Sequence, residues 1–560
     1  MRITKIRIKN FRSIQELEFS PNLGLNILVG ENNAGKSNIF IALEKFRKLL
    51  QFKDSYEPIP GKHMQTSIFR KEDLYKGDTT RTFDIRIMVE LSDVELNKFL
   101  EMLFEGHTLD ASAIQNLKSE LGNILEIMWT SEFKPQVQTL FFFKIGKLYL
   151  ANDRASIRPI DYSKGIYKVT DWHNIALAFK DKKSGLIDII SSRTKTEQEF
   201  ISIPFTIYER ISKLFVDKYK LFEDIRPRPT ATEFELGAVG SLKGADTANV
   251  LLGLKTNTDM NLRQRFSEIQ TKFAELFPSL NLDAVLDPDS TGIKAGASLR
   301  IKNVNLNYEV PPDNIGAGIV EMIHFLTNLI GSEGNVLVLQ EPELHLHPSS
   351  QRLLFNFLRE RKTQNQIFII SHSPFFVDGS EITNNIVVSL VSNKTTVIKL
   401  APNYFADTEK EKLKLRLRAE HKEFIFARAV LILEGPTDAA AFPVFAKTLG
   451  FDFDKSNVYL MNVDGVENIP IFKKLVQGFK LPYVIIADSE YKETDATILN
   501  PNFEGFLEQK GFAKLFVEAK KEFGRSKPLA GKFVAERIPA KDIPAEIKDV
   551  IKKVVDLASK

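Results

Sequence analysis

Leu25-Asn26-Ile27-Leu28-Val29-Gly30-Glu31-Asn32-Asn33-Ala34-Gly35-Lys36-Ser37 is the stretch that decides the fold of this chain. Its first five residues are an apolar run of strand length. Its middle fits GxxxxGK[ST], and Asn38 to Leu50 continues in a helical pattern. A strand, a glycine-rich turn and a helix in that order make a phosphate cradle. The turn holding Gly30, Asn33 and Gly35 offers backbone N–H groups, and the helix N-terminus favours anions. Lys36 can pair with the outer phosphates, and the Ser37 hydroxyl can ligate Mg²⁺. The bland alternative is a glycine-rich turn with a stray lysine, and the flanking strand and helix argue against it. ATP is the expected ligand.

Working outward, Ile6 and Ile8 alternate in a strand pattern, as do Phe83 to Val89. From about Ser92 to Ser290 the texture turns to mixed helices and short strands without recognisable chemistry, with a helix expected around Asn261–Phe277. Strands return at Ser298–Ile301 and Val304–Val310, and Gly318–Ile330 reads as an apolar helix. Val336–Leu339 and Ile367–Ile370 read as buried strands flanking a helix, Ser349–Glu360. Strands alternating with helices around apolar runs predict an α/β fold with parallel pairing.

Val336 to Leu339 ends in Gln340-Glu341-Pro342-Glu343, an apolar strand closing in acids that has the form of a Walker B motif. Glu341 is the candidate base that polarises the attacking water. Gln340 stands where an acid would hold the Mg²⁺ water shell; an amide accepts a hydrogen bond but brings no charge, so ATP binding should survive better than fast hydrolysis. Ile369-Ile370-Ser371-His372 follows another apolar strand, and His372 there can reach a γ-phosphate. His345 and His347 form an H-x-H pair, which no further ligand cluster supports as a metal site.

The charged stretch Asp407–Arg428 reads as a connecting helix. After it comes a second βα alternation: strand Ala429–Leu433, helix Asp438–Leu449, strand Val458–Asn462, helix Ile469–Phe479 and strand Tyr483–Ile486. The first strand ends in Glu434-Gly435-Pro436-Thr437-Asp438, and the last in Asp488-Ser489-Glu490. Both acidic clusters therefore fall at the carboxyl edge of one small sheet, where open sheets bind ligands. Carboxylates gathered there repel one another unless a divalent cation intervenes, and oxygen-only ligands suit Mg²⁺ or Mn²⁺. Glu434, Asp438, Asp488 and Glu490 are the candidate ligands. Taken singly, each motif is equally consistent with solvated loop acids.

The first half resembles the ABC-type ATPases of the SMC and OLD (overcoming lysogenisation defect) groups. The resemblance rests on Ile8-Lys9-Asn10-Phe11-Arg12-Ser13, the P-loop, the run Glu341-Pro342-Glu343-Leu344-His345-Leu346-His347-Pro348, and Ser371-His372-Ser373-Pro374. It implies that a signature loop from one protomer closes the ATP site of another. Asn314 to Glu321 lies where that loop belongs, with Gly316 and Gly318 opening a helix, although its core departs from the usual Ser-Gly-Gly-Gln or Ser-Gly-Gly-Glu. The second half resembles a Toprim domain, with Glu490 in place of the second Asp of Asp-x-Asp. OLD-type Toprim domains carry two further segments: Asn502 to Leu507 would supply Glu504, and Ser526-Lys527-Pro528 would supply Lys527 to steady a scissile phosphate, with Lys532 as the alternative.

The resulting expectation is an ABC-type ATPase domain over 1–400, with a mainly helical insertion at about 92–290 that mediates dimerisation. A connecting helix over 401–428 and a Toprim nuclease domain over 429–560 follow. The resemblance implies a homo-oligomer, dimer or tetramer, that binds ATP and cuts or nicks DNA with Mg²⁺ or Mn²⁺, often in bacterial defence against phage, and leaves room for an additional defence-system protein. An ATP-gated DNA clamp or sensor with a non-catalytic Toprim domain is the main rival. A topoisomerase or primase also uses Toprim, but the ABC half argues against both; a nuclease acting on RNA is the remaining rival.

Composition sets few further bounds. The 560 residues are 43% hydrophobic and 26% charged, ordinary for a globular protein. No stretch approaches the ~20 apolar residues of a membrane span. With Cys 0, disulfides, thiolate metal sites and a cysteine nucleophile are excluded, and a cytoplasmic setting is expected. A net charge of +4 on this length permits local basic grooves and demands none.

Overall fold

The computed structural model describes residues 1–50, 71–78, 83–103, 111–131, 139–145, 148–152, 168–171, 199–203, 205–222, 232–233, 247–288, 295–310, 316–331, 333–417 and 420–559. Two compact units divide the chain. The first comprises Met1–Asn26, Gly35–Ser371 and Leu390–Thr396, and the second Ile27–Ala34, His372–Ser389 and Val397–Lys560.

One sheet has eight strands, in the spatial order Ile14–Phe19, Arg2–Phe11, Phe83–Glu90, Ile124–Ser131, Thr139–Ile145, Leu148–Asn152, Glu199–Ile203, Lys168–Asp171. Its alternation explains its register. Ile6 and Ile8 pair with Ile87 and Ile85, and all four are buried on one face. On the other face Lys5 meets Glu18 at 2.6 Å and Lys9 meets Glu16 at 2.8 Å. The segment expected as a mainly helical insertion supplies the helices Asp93–Leu103, Phe205–Lys218 and Met260–Leu276. It also contributes strands to this sheet, so it is continuous with the N-terminal strands rather than set apart from them.

A six-stranded sheet has the order Tyr219–Phe222, Val336–Gln340, Gln366–Ile370, Leu25–Val29, Asn385–Val391, Lys394–Lys399. Val336–Leu339, Ile367–Ile370 and Leu25–Val29 are buried throughout, the pattern of parallel strands covered on both faces. The two expected strands near residue 300 form a hairpin of Ala295–Asn303 and Tyr308–Val310. Its turn corrects the expected start at Val304: Val304 and Leu306 are exposed and Asn307 has φ 47.

The expected helix across Asp407–Arg428 is also corrected. It ends at Arg416, and a 3-10 helix, Glu420–Phe426, follows. His421, Phe424 and Ile425 must turn inward to be buried, which a continuous solvated helix would prevent. His421 Nε2 lies 2.9 Å from the Asn462 carbonyl.

Beyond it stands a four-stranded parallel sheet, ordered Val458–Asn462, Ala429–Leu433, Tyr483–Asp488, Ala496–Leu499. Leu431, Leu433 and Ile486 share a core with Phe442 and Phe445 of the helix Pro436–Thr448 and with Val534, Ile547 and Ile551 of the C-terminal helices. Because every strand runs the same way, all the carboxyl ends open on one edge. Among the described residues no helix is long and apolar enough to cross a membrane.

Candidate functional site

In the P-loop, Gly30, Asn33 and Gly35 have φ values of 142, 63 and 96. Both glycines are required by space as well as by backbone. A Cβ on Gly30 would run into the Val388 carbonyl, and one on Gly35 into Thr395 Oγ1. Lys36 opens the helix Lys36–Leu50 and is buried, while Ser37 is half-buried. Glu31 lies on a separate network: Arg428 Nε donates to it at 2.6 Å and Asn457 Nδ2 at 3.3 Å.

Gln340 ends its strand half-buried, and Glu341 follows with φ 46, its N–H donating to the Ile370 carbonyl at 2.8 Å. The left-handed backbone at Glu341 is uncommon for a non-glycine residue and ends the strand abruptly at the acid. Ser371 Oγ donates to Glu343 Oε1 at 2.7 Å, and His372 beside it is exposed. His347 accepts the Ser349 N–H at 3.3 Å as the cap of the helix Pro348–Arg361, a structural task for one of the paired histidines. Gly316 caps the helix Ala317–Leu329, and a Cβ on Gly318 would collide with the His345 carbonyl. Asn314 and Ile315 lie outside the described residues.

The second acidic site is built from three local devices. Gly435 and Pro436 start the helix Pro436–Thr448, and the Gly435 N–H donates to Asp438 Oδ2 at 3.3 Å. Asp488 is the last residue of the strand Tyr483–Asp488, and its N–H donates to Glu434 Oε2 at 2.8 Å. Asn502 caps the short helix Phe503–Leu507 through Gly505 at 2.8 Å, setting Glu504 in its first turn. Ser489 N–H donates to the Pro501 carbonyl at 3.1 Å and ties that segment to the strand end.

The acids of this site act on one another through their charges. Asp438 is 5% exposed, and burial, then Asp488, Glu504 and Glu434, push its carboxyl up to about 8. Asp488 is pushed up to about 6 by burial first, then by Glu434 and Glu504, with Glu490 adding least. Asp438 Oδ1 is buried with no hydrogen-bond partner. Four expected acids are therefore brought together, with Glu490 exposed at the rim. Lys527 is exposed in the first turn of the helix Lys527–Arg537, and Lys532 pairs with Glu536 of the same helix at 3.9 Å.

Among the described residues no group of three or more His, Cys, Asp or Glu side chains is arranged as a ready-made metal cage. Glu434 and Glu504 turn one oxygen each to protein donors, which holds like charges apart. The donor set nonetheless fits a hard divalent cation: oxygen only, mutually repelling, with one buried oxygen left unpaired. Thr437 was not singled out by the sequence reading. Its hydroxyl donates to Glu504 Oε1 at 3.0 Å. The only signal was its place inside Glu434-Gly435-Pro436-Thr437-Asp438.

A P-loop ATPase fold followed by a parallel sheet with a carboxylate-lined edge defines an ATPase–Toprim protein. Residues 1–377 match the family described as AAA ATPase domain, and the chain belongs to it. Residues 425–489 match the TOPRIM domain of overcoming lysogenization defect protein-like proteins, so the chain carries an OLD-like TOPRIM domain after its ATPase domain. Glu434, Asp438 and Asp488 fall inside that match; Glu490, Glu504 and Lys527 fall beyond it. An uncharacterized protein of Methanocaldococcus jannaschii is 23% identical over 49% of this chain and 33% of its own length. The OLD nuclease of Thermus scotoductus is 20% identical over 87% of this chain and 82% of that protein. An endonuclease GajA of Bacillus cereus is 19% identical over 86% of this chain and 73% of that protein.

Proposed function

We propose that this chain is a nucleotide-binding, divalent-metal-dependent DNA endonuclease. The observation that carries the reading is the buried carboxyl of Asp438, whose Oδ1 has no hydrogen-bond partner and whose charge is opposed by Asp488, Glu504 and Glu434. The relatives named as nucleases support it along most of the chain's length.

In this reading Glu434, Asp438 and Asp488 hold Mg²⁺ or Mn²⁺, with Glu490 and Glu504 flanking. A divalent cation there would polarise the attacking water and neutralise charge on the cleaved phosphate. Lys527 steadies a non-bridging oxygen of the scissile phosphate. In the other half Lys36 and Ser37 hold the ATP phosphates and their Mg²⁺, Glu341 orients the water and His372 contacts the γ-phosphate. Gly316 and Gly318 open the helix that completes a neighbouring copy's nucleotide site, which requires a homo-oligomer. Defence against phage or DNA processing fits this make-up.

Plasmid nicking with Mg²⁺ or Mn²⁺ tests the proposal. Glu434→Ala and Asp488→Ala should each lower cleavage on the order of 10²-fold or more, because the charge stabilisation of a bound cation is worth several kcal/mol. ATP binding and oligomer size should be kept. A DNA-binding sensor without catalysis is the second reading, favoured by exposed Glu490 and by the absence of a ready-made cage among the described residues. DNA binding without metal-dependent nicking by the wild type would establish it instead.

A further inference from the structure

We infer that Thr437 is a positioning residue for the acidic site, holding Glu504 at the distance a shared divalent cation needs, and that Gly531 is the seat that fixes Thr437. The inference rests on the metal-site reading above. Thr437 is 5% exposed and lies one residue before Asp438, on the first turn of the helix Pro436–Thr448. Its hydroxyl has one proton to donate, and it goes to Glu504 Oε1 at 3.0 Å. This bond crosses from one chain segment to another, between residues 67 positions apart. Because Thr437 is the neighbour of Asp438 in that turn, the bond ties Glu504 to the turn that carries Asp438.

The backbone of Thr437 is located just as tightly. Gly531, in the middle of the helix Lys527–Arg537, packs so close that a Cβ there would lie 2.5 Å from the Thr437 carbonyl oxygen and 2.9 Å from its Cγ2. Its own φ is not in the left-handed region, so close approach alone explains a glycine inside this helix, where glycine otherwise costs about 1 kcal/mol. One contact thus packs the Thr437 backbone and methyl group against the helix whose first turn carries Lys527. Partners of this kind, which orient a ligand without touching the metal, commonly alter metal affinity by about 10- to 100-fold when removed.

The test uses the full-length protein with Mn²⁺ as probe. Thr437→Val removes the hydroxyl and keeps the branched shape, whereas Thr437→Ser keeps the hydroxyl. Mn²⁺ affinity is measured by calorimetry or by electron paramagnetic resonance of the free ion. Cleavage is then measured as a function of Mn²⁺ concentration. Thr437→Val should weaken Mn²⁺ binding about 10-fold and shift half-maximal cleavage to correspondingly higher metal, with activity recovering at saturation. Thr437→Ser should restore both, and ATP affinity should be unchanged in either variant. Wild-type Mn²⁺ affinity in Thr437→Val overturns the inference and leaves the metal site standing. A loss of activity in Thr437→Val that saturating metal does not recover overturns it too, as does failure of serine to rescue. Absence of Mn²⁺ binding by the wild type overturns this inference and the metal-site reading together.

Discussion

Asp438→Asn should raise the stability of the metal-free C-terminal unit at alkaline pH while abolishing its response to metal. The carboxyl ordinarily titrates at 3.8 and is pushed up to about 8 in the fold, by burial and then by the surrounding acids. Because the folded value lies above the unfolded one, the contribution to stability is fully present below about 3.8 and is lost as pH rises through about 8. Four pH units at about 1.4 kcal/mol each set the scale, on the order of 5 kcal/mol between the protonated and ionised forms. Asparagine keeps an oxygen to accept the Gly435 N–H and never ionises. In EDTA at pH 9 the variant should therefore melt on the order of 10 °C above the wild type, the two converging near pH 4. Added Mn²⁺ should raise the wild-type melting temperature by mass action, more at pH 8 than at pH 6, because the cation displaces a proton. The variant should show little shift. Scanning calorimetry across pH 4–9, with EDTA or Mn²⁺, measures all of this. If Asp438→Asn melts below the wild type at pH 9 in EDTA, or keeps the full Mn²⁺ shift, the reasoning from the unpaired oxygen is wrong.

Two predictions concern the nucleotide half. Lys36→Ala should abolish ATP binding, since the P-loop loses the charge that holds the outer phosphates; unchanged affinity of a fluorescent ATP analogue would contradict the assignment. Turnover should be slow in the wild type, and Gln340→Asp should raise it by restoring an acid beside the Mg²⁺ water shell. A brisk wild-type rate in a phosphate-release assay, or no gain in the variant, would point to Glu341 or Glu343 as already sufficient.

What the sequence makes legible follows from how local each signal is. The strand Leu25–Val29 and the helix after Lys36 are announced by an unbroken apolar run and by a motif whose glycines answer to steric contacts at Val388 and Thr395. The carboxyl-edge acids are equally plain, because the end of each strand is fixed by where its apolar residues stop. Less could be read where long-range burial overrides composition. Asp407–Arg428 is dense in charge over its first half, yet His421, Phe424 and Ile425 are buried after a break that no propensity demands. Thr437 and Gly531 have meaning only through a contact made across the chain. The partners of Glu31 are of the same kind: nothing in the P-loop motif tells that Arg428 and Asn457 will donate to its second residue.

A structural explanation of the Glu-Gly-x-x-Asp run has to account for both oxygens of Asp438. Capping accounts for Oδ2, which accepts the Gly435 N–H at the start of Pro436–Thr448. An asparagine would serve there as well, without bringing a buried charge toward Asp488, Glu504 and Glu434. The cap therefore explains half of the side chain and leaves the costly half unexplained. Ionised, Asp438 is opposed by burial and by each of those acids, and Oδ1 has no donor to offset that opposition. A hard cation satisfies all of these at once, since it supplies the missing partner and reverses the sign of the interaction among the acids. The strain gathered at this one sheet edge is what a fold tolerates where a ligand relieves it.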